Sequence, residues 1–435
     1  MPVLTRRRAA GSAASHHTPQ DRLAEARGLA EAIDLDVRDA LIVTLPEPRP
    51  STLFGVGKAD EIKAVVEGEE IDLAVVDHPL TPVQQRNLER LWGCKVIDRT
   101  GLILEIFGRR ARTREGVLQV ELAHLTYQKS RLVRTWTHLE RQRGGYGFLG
   151  GPGETQIETD RRLIQERIDA IRKELAVVVR TRELHRAGRR RVPYPVAAIV
   201  GYTNAGKSTL FNRLTGAGVY VKDQVFATLD PTMREIGLAS GRRIILSDTV
   251  GFISDLPTML VAAFRATLEE VIAADLILHV RDISHAETDA QARDVETVLS
   301  DLGIDAEAAD APILEVWNKA DLLDDAGRAE VARNLRRNDR QPVLVSALTG
   351  EGIDLLLATI DARLGARDVV VTLVIPAREG RLLSWLHANT EVLEESADEE
   401  GTITCRIRVD PDVRGKLEGR LRHAGLKPGD HASAH

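Results

Sequence analysis

The sequence predicts a multidomain α/β protein: a small parallel α/β domain with a long helical hairpin, a larger parallel α/β domain, and a small α+β lobe. Three observations predict it. Apolar strands alternate with helices of about ten residues up to residue 98, stop, and resume near residue 196. The intervening stretch keeps helical spacing on both sides of a glycine-rich segment. A chain of 435 residues is also too long for one core and fits two or three domains of roughly 100–200 residues.

Composition narrows the class. Apolar residues make up 43% and charged residues 29%, which argues for packed cores rather than disorder. No apolar run approaches the roughly 18 residues that a membrane span needs. The N-terminal arginines precede no apolar stretch, so a secretory signal is not expected. The two cysteines, Cys94 and Cys405, are far apart and lack metal-ligand spacing, which points to a reducing, cytoplasmic setting.

In chain order, residues 1–20 are expected to be a disordered basic leader. Residues 21–112 read as the α/β subdomain, with helices over 22–33, 58–68 and from Pro82, and strands over 40–45, 71–77 and 95–98. Residues 113–188 read as the hairpin. Val117, Val120, Leu122, Leu125 and Leu132 recur at helical spacing, and Leu163, Ile168, Ile171, Leu175, Val178 and Val179 do so again. Thr159 or Asp160 is the expected cap of the second helix, and Gly144–Gly153 the glycine-rich tip. Residues 194–365 hold nearly continuous apolar strands at 196–201, 243–248, 276–282, 312–318 and 342–347, as in a parallel sheet covered on both faces. A βαββα order over 368–428 reads as the C-terminal α+β lobe.

The chemistry begins where strand 196–201 ends. Gly201-Tyr202-Thr203-Asn204-Ala205-Gly206-Lys207-Ser208 fits the phosphate-loop (P-loop) pattern in full. Its glycines let backbone N–H groups face a polyphosphate, and the following helix points its positive end there. Lys207 reaches the β- and γ-phosphates, and Ser208 offers its hydroxyl to Mg2+. Asn318-Lys319-Ala320-Asp321 ends a later strand, 111 residues after Lys207 counted to Asn318. A carboxylate at 321 accepts two N–H groups from a guanine edge and repels the ring acceptor of adenine, so GTP or GDP is the expected ligand. Asn318 is expected on the other edge of the purine and the Lys319 stem over the ring. Ser346-Ala347-Leu348 is expected to close the pocket through backbone N–H groups.

Asp248-Thr249-Val250-Gly251 supplies a carboxylate directed at Mg2+ and an N–H directed at the γ-phosphate, in a segment that loss of that phosphate would release. Phe226-Ala227-Thr228-Leu229-Asp230 lies between these motifs, and Thr228, with Thr232 second, is expected to complete the Mg2+ shell. Ser208 and Thr228 are then the metal residues, and Lys207, Thr228 and Gly251 the catalytic ones, for hydrolysis of GTP to GDP and phosphate. Phe252 stands where many GTPases carry a water-orienting glutamine, so slow, partner-stimulated turnover is expected.

In this order the motifs resemble those of the translation-factor class of P-loop GTPases. GYTNAGKSTLFN with FATLDPT and DTVGFI resembles the Obg–HflX group. RGGYGFLGGPGETQIETDRR (143–162), preceded by RLVRTWTHLERQ, and IDRTGLILEIF (97–107) resemble the HflX family itself. The resemblance spans roughly residues 35–365. It implies a two-part N-terminal domain ahead of the GTPase domain, and association with the large (50S) ribosomal subunit. It also implies a role in splitting or rescuing stalled ribosomes under stress, with the tip approaching the peptidyl-transferase region of the rRNA. That tip is flanked by Arg141, Arg143, Arg161 and Arg162 and carries Tyr146 and Phe148, which can stack on bases. Asn204 resembles the asparagine of potassium-activated GTPases, which implies a bound K+.

Charge singles out the same segment. Residues 101–195 hold 20 Lys and Arg against 11 Asp and Glu, a net of +9 in a chain whose total is −6, as expected where part of a protein meets a polyanion. Other readings are weighed against this one. Phe252 keeps open an RNA-binding or ribosome-assembly scaffold with negligible hydrolysis. Asp321 opposes an ATPase or kinase. A membrane-associated GTPase has no lipidation signal or amphipathic anchor to support it. A monomer is expected, with His279, the His16–His17 pair and Trp317 as packing or surface residues.

Overall fold

The structure, a computed structural model, describes residues 3–5, 17–45, 47–142, 152–189, 194–216, 226, 232–255, 265–306, 308, 311–338, 340–366, 369–398, 401–409 and 411–426. In the N-terminal region β1 (Val3–Thr5) pairs in parallel with β2 (Val43–Leu45), and β3 (Leu73–Val76) with β4 (Lys95–Asp98). Helices α1 (Pro19–Glu31), α2 (Val56–Gly68), α3 (Pro82–Trp92) and α4 (Arg99–Arg110) alternate with these strands. Local chemistry sets the boundaries. Thr18 and Thr81 cap α1 and α3, each followed by a proline that needs no N–H partner in the first turn. Gln84 completes a capping box on α3, and Gly93 ends it at φ +70°.

The leader differs from expectation. Val3–Thr5 is a strand, because β-forming residues there add to the side of β2, and α1 starts at Pro19. His17 is not an ordinary surface residue. Its Nδ1 lies 2.6 Å from Glu287 Oε2 and its Nε2 2.7 Å from Asp294 Oδ2, joining the leader to the second α/β domain.

The hairpin consists of α5 (Arg114–Gln142) and α6 (Pro152–Arg189). α6 begins at Pro152, seven residues ahead of the expected cap at Thr159 or Asp160; proline at a first helical position explains the earlier start. Leu118, Val120 and Ala123 are buried on α5, and Ile168 and Ile171 on α6. Val117 and Leu163, expected on the packed faces, stay exposed. Arg167 clasps Glu121 with two hydrogen bonds of 2.8 and 2.9 Å. Most of the expected tip, residues 144–151, lies outside the described residues.

The second α/β domain runs β5 (Val196–Gly201), α7 (Lys207–Thr215), β6 (Thr232–Gly237), β7 (Arg243–Asp248), α8 (Arg265–Ile272), β8 (Leu276–Asp282), α9 (Thr288–Asp301), β9 (Ile313–Asn318), α10 (Asp325–Arg337), β10 (Val343–Leu344) and α11 (Ile353–Gly365). Its sheet has the order β10-β9-β8-β5-β7-β6, parallel except for β6 against β7. Parallel strands end on the same rim, so the loops after β5, β7 and β9 converge there. The C-terminal lobe, β11 (Val369–Ile375), α12 (Gly380–Asn389), β12 (Glu391–Ala397), β13 (Ile403–Val409) and α13 (Pro411–His423), has the expected βαββα order around an antiparallel β11-β13-β12 sheet.

One apolar core runs across the boundary between the first two regions. Leu102, Ile103, Ile106 and Phe107 of α4 share it with Tyr202, Val250, Phe252 and Ile253. Phe107 meets Phe226 edge-on, with ring centroids 4.7 Å apart. Among the described residues no helix is long and apolar enough to cross a membrane.

The two carboxylates around His17, Asp294 foremost, raise its imidazole from 6.5 to about 9 against the opposing cost of burial. A folded-state value above the unfolded one stabilises fully below 6.5 and is lost as pH rises through about 9. Thermal melting is therefore expected to drop by several degrees between these pH values. In His17→Gln the melting point should be lower at pH 6 and this dependence flattened, as differential scanning fluorimetry across pH would show.

Candidate nucleotide site

β5 is buried along almost its whole length, so the chain turns only at the rim. The turn uses left-handed backbone at Asn204 (φ +60°) and Gly206 (φ +88°), and α7 starts immediately after. Gly206 cannot carry a side chain, since a Cβ there would lie 2.3 Å from Asn318 Nδ2. That clearance lets Asn318 Nδ2 donate to Ala205 O at 2.9 Å, while its Oδ1 accepts from Ala347 N at 2.9 Å. The Asn318 amide and the Ala347 N–H thus brace the phosphate loop, the β9 loop and the β10 loop against one another.

Asp321 accepts a hydrogen bond from the Ser346 hydroxyl, whose oxygen in turn accepts from Thr349 N at 3.0 Å. Lys319 stands in left-handed backbone (φ +67°) and its Nζ meets Asp282 Oδ2 at 2.8 Å, a partner that the motif did not indicate. Ala320 is buried, and its carbonyl accepts from Arg328 at 2.9 Å. Leu348 is exposed at the rim.

At the phosphate end Lys207 is buried and donates from Nζ to Tyr202 O at 2.6 Å. Burial pushes its ammonium down to about 8, although Asp248 pulls the other way; a polyanion bound there would restore the full charge. Ser208 Oγ donates to Asp248 Oδ2 at 2.7 Å, so the two expected Mg2+-directed groups lie side by side. Thr249 spends its hydroxyl on Ile199 O at 2.6 Å, and Val250 is buried in the shared core. Gly251 sits against the loop, since a Cβ there would be 2.9 Å from both Lys207 Nζ and Thr203 Cγ2. Thr203 N donates to Phe252 O at 2.7 Å, and Phe252 N to Gly201 O at 3.1 Å, stitching the two segments together.

Phe252 itself is buried in the shared core. Phe226 is buried with φ +58°. Ala227, Thr228, Leu229 and Asp230 lie outside the described residues. His279 is buried, and burial drives its imidazole down to about 4. Trp317 donates from its indole to Glu315 at 3.0 Å. Glu25, Arg99 and Ser254, which no motif marks, gather behind the loop. Glu25 accepts from the Tyr202 hydroxyl, and Arg99 donates to Ser254 O at 2.8 Å. Nothing local to α1 or α4 announces a contact between segments about 150 residues or more apart.

Comparison with known proteins places the chain in a family. Family models described as "GTP-binding GTPase N-terminal", "GTP-binding GTPase Middle Region", "50S ribosome-binding GTPase" and "HflX C-terminal domain" match residues 20–108, 110–189, 196–319 and 332–431. GTPase HflX of Magnetococcus marinus is 51% identical over 399 residues, covering 92% of this chain and 90% of that protein. GTPase HflX of Escherichia coli K12 is 46% identical, covering 89% of each. A GTP-binding protein of Sulfolobus solfataricus, solved with GDP, is 25% identical with a TM-score of 0.43 over 84% of this chain and 98% of its own. The chain belongs to the HflX family of GTPases. It binds guanine nucleotide and hydrolyses GTP, which sets aside the scaffold without hydrolysis.

If Asp321 carries the base preference, Asp321→Asn should lower GTP affinity by at least about 100-fold and raise xanthosine triphosphate affinity, because the amide can donate where the carboxylate only accepts. Fluorescence titration with both nucleotides checks this; unchanged preference would remove Asp321 from the base site.

Proposed function

We propose that this GTPase docks on the large ribosomal subunit through residues 113–188 and splits or rescues stalled ribosomes under stress, acting as a cytoplasmic monomer. The observation that carries the reading is a two-helix arm of 29 and 38 residues inside a window of net charge +9. Such an arm fits the backbone of a folded RNA, whose phosphates reward Lys and Arg with salt-sensitive affinity. The description of the matched central family, a 50S ribosome-binding GTPase, supports the same partner.

In this reading the backbone of 201–208 and the Lys207 ammonium hold the phosphates, while Asp321 with Ser346 reads the base. The Gly251 N–H bonds the γ-phosphate of the bound triphosphate. The hard oxygens of Ser208 and Asp248, 2.7 Å apart, suit Mg2+. Thr228 would join them. When bound, Mg2+ neutralises charge on the β- and γ-phosphates. Water attacks phosphorus in line with the bond to GDP, which leaves with that bond's electron pair, and Lys207 stabilises the charge. Phe252 is buried and cannot orient the water, so intrinsic turnover is slow and the subunit supplies or reorders the missing group. Asn204, exposed at the loop, is the position at which a K+ would act.

Phosphate release with and without purified large subunits tests the partner, and a rise of at least tenfold is expected. A nonhydrolysable GTP analogue should retain the protein on subunits in sedimentation where GDP does not; equal retention counts against GTP-dependent docking. Turnover in KCl should exceed that in NaCl at equal ionic strength, and equal rates would dispose of the K+ role.

A further inference from the structure

Two adjacent residues at the start of α4 hold two different parts of the molecule. Asp98 takes the root of the hairpin, with its Oδ1 accepting from Tyr127 Oη and its Oδ2 from Arg131 Nη2, each at 2.6 Å. The same carboxylate caps α4 through Gly101 N at 2.9 Å and accepts from Leu80 N at 3.2 Å. Arg99, only 4% exposed, grips the segment that follows Gly251, its Nη2 donating to Ser254 O at 2.8 Å and Ser254 Oγ at 3.1 Å. Its charge is matched by Asp77 Oδ1 at 2.7 Å from Nη1 and by Glu25 Oε2 at 2.9 Å from Nη2.

Ser254 is held from the other side as well. Its N–H donates to Tyr202 Oη at 2.9 Å and its hydroxyl to Glu25 Oε2 at 2.8 Å, and Tyr202 belongs to the phosphate loop. Both backbone groups of Ser254, three residues beyond Gly251, are therefore fixed by polar side chains. A buried guanidinium among carboxylates stabilises poorly compared with apolar packing, so this arrangement is better suited to fixing a position than to holding the fold.

We propose that Asp98 and Arg99 tie the hairpin root to the segment after Gly251, so that engagement of the hairpin resets Gly251 against the γ-phosphate. The inference rests on the reading of the hairpin as the ribosome-binding arm. Arg99 acts through Ser254 and is a positioning residue. The connection is short because a single helix start carries both grips. The opposite end of α4 lies under Phe226 through Phe107, so a movement of α4 reaches both segments that flank the γ-phosphate site.

The test uses the full chain and purified large subunits. Steady-state phosphate release is measured with and without saturating subunits, alongside subunit affinity, in wild type, Arg99→Lys, Tyr127→Phe and the double variant. The ratio of stimulated to basal kcat is expected to fall at least fivefold in each single variant, with KM for GTP and subunit affinity within twofold of wild type. The double variant should fall no further than the lower single, since both cut one connection. Ratios within twofold of wild type, losses that multiply in the double variant, or losses traced to weaker subunit binding would overturn the proposal. Should Arg99→Lys fail to fold, Tyr127→Phe, which removes one hydroxyl, decides alone. A wild-type ratio near one would sink the ribosome reading; a stimulated wild type with equally stimulated variants would sink only the coupling.

Discussion

The burial of α4 is the constraint on which the rest of the molecule depends. Its Leu102, Ile103, Leu104, Ile106 and Phe107 are removed from water on one side by the N-terminal region and on the other by Tyr202, Val250, Phe252 and Ile253. Each such side chain contributes roughly 1.5–3 kcal/mol when fully buried, so the two regions are held by the same apolar contacts that fold them. The nucleotide loops are consequently built against a helix from another part of the chain. The hairpin, which starts four residues after α4 ends, inherits a fixed orientation from it.

Within that frame the polar groups divide the work by distance from the rim. Nearest the rim, Lys207, Ser208, Asp248 and Asp321 each rest on a neighbouring protein group. One layer down, Asn318 locks three loops together with two hydrogen bonds. Behind them Arg99, Asp77, Glu25 and Ser254 form a buried charged layer between the regions. Removing one partner from such a layer leaves an unmatched charge, at a cost of about 3–5 kcal/mol. Local geometry at the phosphate loop therefore depends on residues that are remote in the chain.

How much of this the sequence revealed follows from how local each feature is. The loop at 201–208 and the five parallel strands of the central sheet were legible, because each is set by a few consecutive residues and their spacing; the antiparallel edge strand β6 was not expected. The hairpin was legible as two helical periods, but the start of α6 was not, because Thr159 and Asp160 offer good caps that an earlier proline made unnecessary. α4 was hidden because a short apolar run, broken only by Glu105, reads as well as a strand as it does as a helix. His17, Glu25 and Arg99 were hidden for a different reason. Their partners lie between 22 and 277 positions away, and only tertiary packing brings them together.

The inward turn of Phe252 has a consequence for substitution at that position. Phe252 serves as a structural plug beneath α4, with its backbone hydrogen-bonded to Gly201 and Thr203. A polar residue installed there would be trapped among hydrocarbon, unable to reach solvent or substrate without prising two domains apart. Position 252 can therefore change only together with the apolar surface that covers it.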